Sequence, residues 1–485
     1  MNLETLQDRS EALYEELSRE YYLTGSGLKA DPEFLAIYDR YADLVTDEAL
    51  ATARASNSAP LFEWAVGLRL GRLVARFEER QLMWEQEATV QVDGATVPYL
   101  RVPIELANSP DREYRIALDE VRVEAGAAGL NGVRAERFAA EREAVDALGM
   151  GDYVDAVGAL GGIDLDALGA QAASFLEQTA SMYDDSLARL ARRRVGVSLG
   201  DLVRADAPWV FRADRFDGSF PRDRLVETAV GQMDDMGLDA TQAGRVRFDT
   251  EERAGKQPRA FCSPVRVPEE VYLVLRPRGG HTDYRTFWHE LGHAMHFASA
   301  DPGLPFAARC AGDNSVTEGF AMLWDHMTLD TGWLKRYGGL DAADARDLAF
   351  ELAVAELFLL RRYAAKMIYE LEFHRGEPAD MGPRYVELLS DATRFRYLEG
   401  DHLLDVDPGF YVARYLRAWQ LEAGVANTLI ERFDDDWYRN PAAGSVVQAL
   451  MGQGQRDPAD HLASEFMGGP LTFDQVKPRL ESVLS

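Results

Sequence analysis

Apolar residues recur at three- and four-residue spacing over residues 3–22, 32–55 and 61–87, which predicts three amphipathic helices at the start of the chain. At residues 89–97 the pattern changes to β-branched residues flanking Asp93-Gly94, the signature of a short hairpin. Helical spacing resumes near residue 111 and continues, with Gly-rich interruptions, to about residue 194. Between residues 244 and 275 the apolar segments become short and β-branched or aromatic: Val246-Arg247-Phe248, Ala260-Phe261-Cys262 and Val271-Tyr272-Leu273-Val274-Leu275. Polar and Pro-containing turns separate them, so a small sheet of three or four strands is expected. After Gly279-Gly280 the helical pattern returns almost to the end. The expected fold is therefore mainly α, as a helical lobe over residues 1–200 followed by a second lobe over 201–485.

Composition narrows the function. The chain has 485 residues, enough for two or three lobes, and its 47% hydrophobic content can fill their cores. A net charge of −29 argues against nucleic acid and anionic membranes as partners, since both are polyanions. Cys262 and Cys310 have no paired spacing, which indicates neither a disulfide framework nor a thiolate metal site. Residues 1–20 are charged and amphipathic, no apolar run reaches 18 residues, and a cytoplasmic location is expected. All eight histidines lie beyond residue 280, so imidazole chemistry belongs to the second half of the chain.

His289-Glu290-Leu291-Gly292-His293 is where that chemistry concentrates. Two histidines four apart on a helix share a face, one turn apart, and can reach one ion. Glu290 lies about 100° round the helix from His289, beside the ion without being forced to ligate it. It is placed to act as a general base on a water at an open metal position. Glu318, 25 residues after His293 and at the start of the next expected helix, is the candidate third ligand. A competing assignment makes Ser315-Val316-Thr317-Glu318 a capping box, with Glu318 folded back on the Ser315 amide. Asp325, on the same face as Glu318, is a candidate hydrogen-bond partner for a ligand imidazole. His296 is assigned to packing or to support of the site.

The residues around this motif resemble the M3 metallopeptidases, the thimet-oligopeptidase and oligoendopeptidase F group. The likeness runs through Arg253-Ala254-Gly255-Lys256, Ala260-Phe261-Cys262, Val271-Tyr272-Leu273, Gly279-Gly280, Asp283, Thr286 and the run from His289 to His296. A second block, His402-Leu403, Asp407-Pro408-Gly409-Phe410-Tyr411 and Tyr415, is similar too, as are Arg432-Phe433, Asn440-Pro441, Gly444 and Gly452-Gln453-Gly454. The resemblance implies a predominantly helical, two-lobed peptidase with a deep cleft and one Zn2+ held by His289, His293 and Glu318. It implies hydrolysis of short unstructured peptides, with His402 and Tyr415 on the oxyanion side and Tyr411 contacting substrate. It also implies that Gly279-Gly280 lets the substrate backbone approach, and that the strand at residues 271–275 is an edge to which an extended peptide adds. The chain departs from the family pattern in the spacing of Tyr411 and Tyr415, with Arg414 at the ungapped position, and in Asp407, where the family has a tyrosine.

Two alternatives stay open. A metallocarboxypeptidase or dipeptidyl carboxypeptidase would need a cation for the substrate carboxylate, and Arg276, Arg278 and Arg414 are available. A non-catalytic, zinc-stabilised binding protein would have no use for Glu290. The oligomeric state is not legible in the sequence.

Overall fold

The computed structural model describes residues 1–376 and 381–484 and is mainly helical, with two small sheets. The chain groups into two compact units, each assembled from separate stretches. The first comprises residues 1–69, 214–349 and 417–477; the second comprises 70–213, 350–416 and 478–485. No helix among the described residues is long and apolar enough to cross a membrane.

In the first unit, the helices Leu3–Gly25 and Asp47–Ala55 follow the apolar spacing. The single helix expected over residues 32–55 is instead broken in two by a short 3-10 turn, Ala42–Val45. One contact from a distant residue and one local cap replace helical continuation. Arg9 grips Asp43 with a forked pair of 2.6 Å hydrogen bonds, and the Thr46 hydroxyl accepts from the Ala49 amide as a new N-cap.

The three-stranded sheet of this unit comprises β3 (Val246–Asp249), β4 (Phe261–Arg266) and β5 (Glu270–Val274). β5 is its centre, parallel to β3 and antiparallel to β4. This corrects the expectation that the strand at residues 271–275 is an edge: its main-chain groups are already paired on both sides. β3 and β4 are the edges.

The sheet packs on the helix His281–Ser299, whose inner face is Phe287, Trp288, Leu291, Ala294, Met295 and Ala298. Buried Gln232 anchors this core: its side-chain oxygen accepts from the indoles of Trp288 and Trp333, each at 2.7 Å. The helix Asn314–Met327 is buried at every position from Ser315 to Met327.

The second unit is built on the helices Arg112–Asp146, Tyr153–Gly161, Leu165–Gln178, Ala180–Arg194 and Gly382–Thr393, together with residues 350–375. It also carries the expected hairpin, β1 (Thr89–Val92) and β2 (Ala95–Pro98), turning on Asp93 and Gly94 at φ 50° and 78°. Both positive values match a type I′ turn, where glycine removes the steric cost. Buried ion pairs tie its segments together. Arg122 grips Asp401 through two hydrogen bonds of 3.2 and 2.6 Å, and Arg115 meets Asp206 at 3.1 Å.

Candidate metal centre

The helix His281–Ser299 starts where the chain turns through Gly279 and Gly280, at φ 91° and 94°. Asp283 in its first turn accepts from the amides of Arg278 and Gly279. Both take a positive φ that side-chain-bearing residues rarely adopt. A Cβ on Gly280 would lie 2.5 Å from Asp217 Oδ1, and one on Gly279 would lie 3.2 Å from the Phe220 carbonyl.

His289, Glu290 and His293 stand half-buried on this helix while its opposite face is sealed in the core. The two imidazoles lie one turn apart, with ring centroids at 4.9 Å. The neighbouring helix approaches so closely that a Cβ on Gly292 would fall 2.6 Å from Ala321 Cα. This approach brings Glu318 to the histidines. Its Oε2 lies 3.5 Å from His289 Nε2 and 3.6 Å from His293 Nε2. The competing capping-box assignment is not what the structure shows: the cap is Asp313, which accepts from the Ser315 amide at 2.9 Å.

The ligand-side atoms of His289, His293 and Glu318 all lie within 4.8 Å of one another, a group compatible with metal binding. A tetrahedral ion roughly 2.1 Å from each donor sets donor–donor edges of about 3.4 Å, close to the two His–Glu distances. Each imidazole is also oriented for ligation. His289 Nδ1 is 2.9 Å from Asp325 Oδ2 and His293 Nδ1 is 2.9 Å from the Thr317 hydroxyl, which leaves both Nε2 atoms facing Glu318.

The site's electrostatics favour a cation. Burial works against a charged His289, yet hydrogen bonds to Asp325 and Glu318 outweigh it and push the imidazole up to about 10. Burial works equally against ionised Glu318, and the two histidines hold its carboxyl well below the usual range. Asp325 is likewise held low against burial by Arg285, His326 and His289.

Behind Asp325 lies a further pair that the sequence analysis missed. His326 Nε2 is 3.3 Å from Asp325 Oδ1, and its Nδ1 is 2.7 Å from Oε2 of buried Glu422. His326 is adjacent to Asp325, but nothing local in the sequence points to Glu422. His296 Nε2 donates to the Gly454 carbonyl at 3.1 Å, in keeping with its assignment to packing or support of the site.

His402, Tyr411 and Tyr415 belong to the second unit. His402 Nδ1 sits 2.9 Å from the Glu399 carbonyl, and burial lowers its basicity. Tyr411 and Tyr415 pack edge to face with centroids at 5.2 Å, and Tyr415 meets Tyr363 in the same way at 5.4 Å. Of the cations considered for a substrate carboxylate, Arg276 pairs with Glu252, and Arg414 is buried with its guanidinium 3.5 Å from the Gly161 carbonyl. Cys262 is a free thiol; burial, and then the charge of nearby Glu290, push its pKa well up and keep it neutral.

No family model matches the chain, and no curated protein does. Among solved structures it is similar to a crystal structure described as that of a "putative peptidase" from Chlamydophila abortus. That likeness covers 99% of this chain and 89% of the other, with a TM-score of 0.65 and 13% identity. At this identity the likeness establishes a shared mainly helical fold.

Proposed function

We propose that this chain is a zinc-dependent peptidase that hydrolyses peptide bonds in short unstructured peptides. The observation that carries the proposal is the His289–His293–Glu318 group, with its spacing near a tetrahedral edge and both imidazoles oriented from behind. The structural likeness to a protein described as a peptidase supports it. Two imidazoles and one carboxylate leave a fourth position open, as in catalytic rather than structural zinc sites. A zinc ion bound there supplies Lewis-acid activation of water and of the peptide carbonyl. Glu290, half-buried and one residue from His289, takes the proton from the attacking water and delivers it to the departing amine. Asp325 and Thr317 hold the two histidines in the tautomer that presents Nε2. The M3 resemblance adds His402 and Tyr415 as oxyanion-side groups and Tyr411 as a substrate contact.

Glu290→Gln tests the assignment directly. Zinc content by atomic absorption should stay at one ion per chain while peptide cleavage falls on the order of 10²–10⁴-fold. Cleavage that survives the substitution overturns the mechanism. A peptide with an amidated C-terminus separates the subtypes, since its cleavage rules out strict carboxypeptidase action. Tyr415→Phe should lower kcat by about 10²-fold with KM little changed if the phenol meets the oxyanion.

A further inference from the structure

The second unit contains a cavity of about 360 Å³ with an unusual lining. Its apolar wall includes Phe211, Phe358 and Leu404, and Leu404 is 39% exposed. Its polar wall holds two arginines, Arg204 and Arg362, and two aspartates, Asp401 and Asp405.

The two signs are not equally available. Asp401 is gripped by both terminal nitrogens of Arg122, which approaches at 3.2 and 2.6 Å. Asp405 accepts from Arg362 on one oxygen and from the Tyr385 hydroxyl, at 2.8 Å, on the other. The arginines are less committed. A guanidinium has five N–H donors. Arg362 gives one to Asp405 and sits beside the Tyr397 phenol, and its side chain keeps 22% of its surface accessible. Arg204 donates to Asp119 at 2.6 Å, approaches Asp401 at 3.7 Å, and keeps 29% accessible. Both aspartates are thus held on each oxygen by a partner of this unit, while Arg204 and Arg362 keep N–H donors beyond those given to Asp119 and Asp405. Such a wall recognises an anion, and planar guanidinium groups suit a carboxylate. The apolar wall asks for a hydrophobic body on the same ligand. The volume lies at the lower end of small-molecule pockets, matching one or two amino-acid residues.

We propose that this cavity is a binding site for a small carboxylate carrying an aromatic or branched apolar body, either the free C-terminus of a short peptide or a single N-acylated amino acid. Arg362 supplies the principal charge contact, and Phe211, Phe358 and Leu404 receive the side chain. The site is formed wholly by the second unit, so it stands independently of the metal centre.

Calorimetric titration with N-acetyl-phenylalanine and with its amide tests this on the full chain, with and without a zinc chelator. Titration of the Glu290→Gln protein with a tripeptide ending in phenylalanine tests the peptide source without consuming the ligand. The acid should bind at least tenfold more tightly than the amide, and chelation should leave this binding intact. Tighter binding of the tripeptide than of the single residue, kept under chelation and lost in Leu404→Trp, assigns the site to peptide C-termini; equal or weaker binding assigns it to the amino-acid carboxylate. Arg362→Gln should abolish the preference for the acid. Because that change leaves Asp405 without its cation, the double variant Arg362→Gln/Asp405→Asn provides a neutral, hydrogen-bonding pair whose fold is checked by circular dichroism. Leu404→Trp, at an exposed rim position, should block binding without touching the ion pairs. Equal affinity for acid and amide, unchanged binding in the folded double variant, or loss of binding on chelation would each overturn the proposal.

Discussion

Gly292→Ala is the sharpest test of how the candidate metal centre is built. A helical Gly→Ala change ordinarily stabilises by about 1 kcal/mol, because alanine loses less backbone entropy on folding. At Gly292 the added carbon would lie 2.6 Å from Ala321 Cα, 2.7 Å from the Phe320 carbonyl oxygen and 3.1 Å from the Ala321 amide nitrogen. These neighbours are backbone atoms of a buried helix and cannot rotate away. Relief requires the two helices to part by roughly 1 Å, and overpacking of this kind costs about 1–3 kcal/mol, which exceeds the propensity gain. The same movement takes Glu318 from 3.5 and 3.6 Å of the imidazole nitrogens to well beyond a tetrahedral edge of about 3.4 Å. The expected result is a zinc affinity at least 100-fold weaker in competition with a chromophoric chelator, with a lower melting temperature of the metal-free protein. Gly231 supplies the control. It lies in the helix Leu225–Asp235, and nothing stands within 4 Å of a Cβ built on it. Gly231→Ala should therefore raise the melting temperature and leave zinc affinity unchanged. A Gly292→Ala protein that binds zinc as tightly as the parent would refute the reasoning that this close approach delivers Glu318.

Three further outcomes are expected. Asp325→Asn removes the charged partner of His289 Nδ1 and should weaken zinc binding 10–100-fold, read in the same competition assay, with the fold retained. Glu422→Gln, one step further back against His326, should have a smaller effect in the same direction, and a larger one would mean that the pair carries more of the orientation than Asp325 does. The third concerns acid. Burial lowers His374, stacked on Tyr153 at 4.2 Å with no hydrogen-bond partner for either ring nitrogen among the described residues, to about 3. The unfolded chain takes up this proton near pH 6.5 and the folded chain does not, so the associated stability is intact above that pH and is lost as pH falls toward 3. At pH 5 the loss is about 2 kcal/mol, and His374→Phe should remove it, seen as a shallower fall in melting temperature between pH 7 and 5. An unchanged pH profile would show that His374 is not held neutral.

Much of this protein is legible in its sequence because the relevant physics is local. Helical spacing located the helices Leu3–Gly25 and Ala59–Glu87, and Asp93-Gly94 announced its hairpin. The i, i+4 geometry alone puts His289 and His293 on one face, whatever surrounds the helix. Composition and spacing also placed the imidazole chemistry in the second half of the chain. Other features depend on partners distant in sequence. Whether residues 271–275 form an edge or a centre depends on β3 arriving in parallel beside β5. Whether Glu318 caps its own helix or faces the histidines depends on Asp313 taking the cap and on Gly292 admitting Ala321. Glu422 reaches His326 across 96 residues, and the cavity at Arg362 draws on segments around residues 204–211 and 358–405. Periodicity records which face of an element is buried. Only close packing in three dimensions decides which backbone or charge that face meets, because the contact energies that settle it act over a few ångströms and carry no trace in sequence separation.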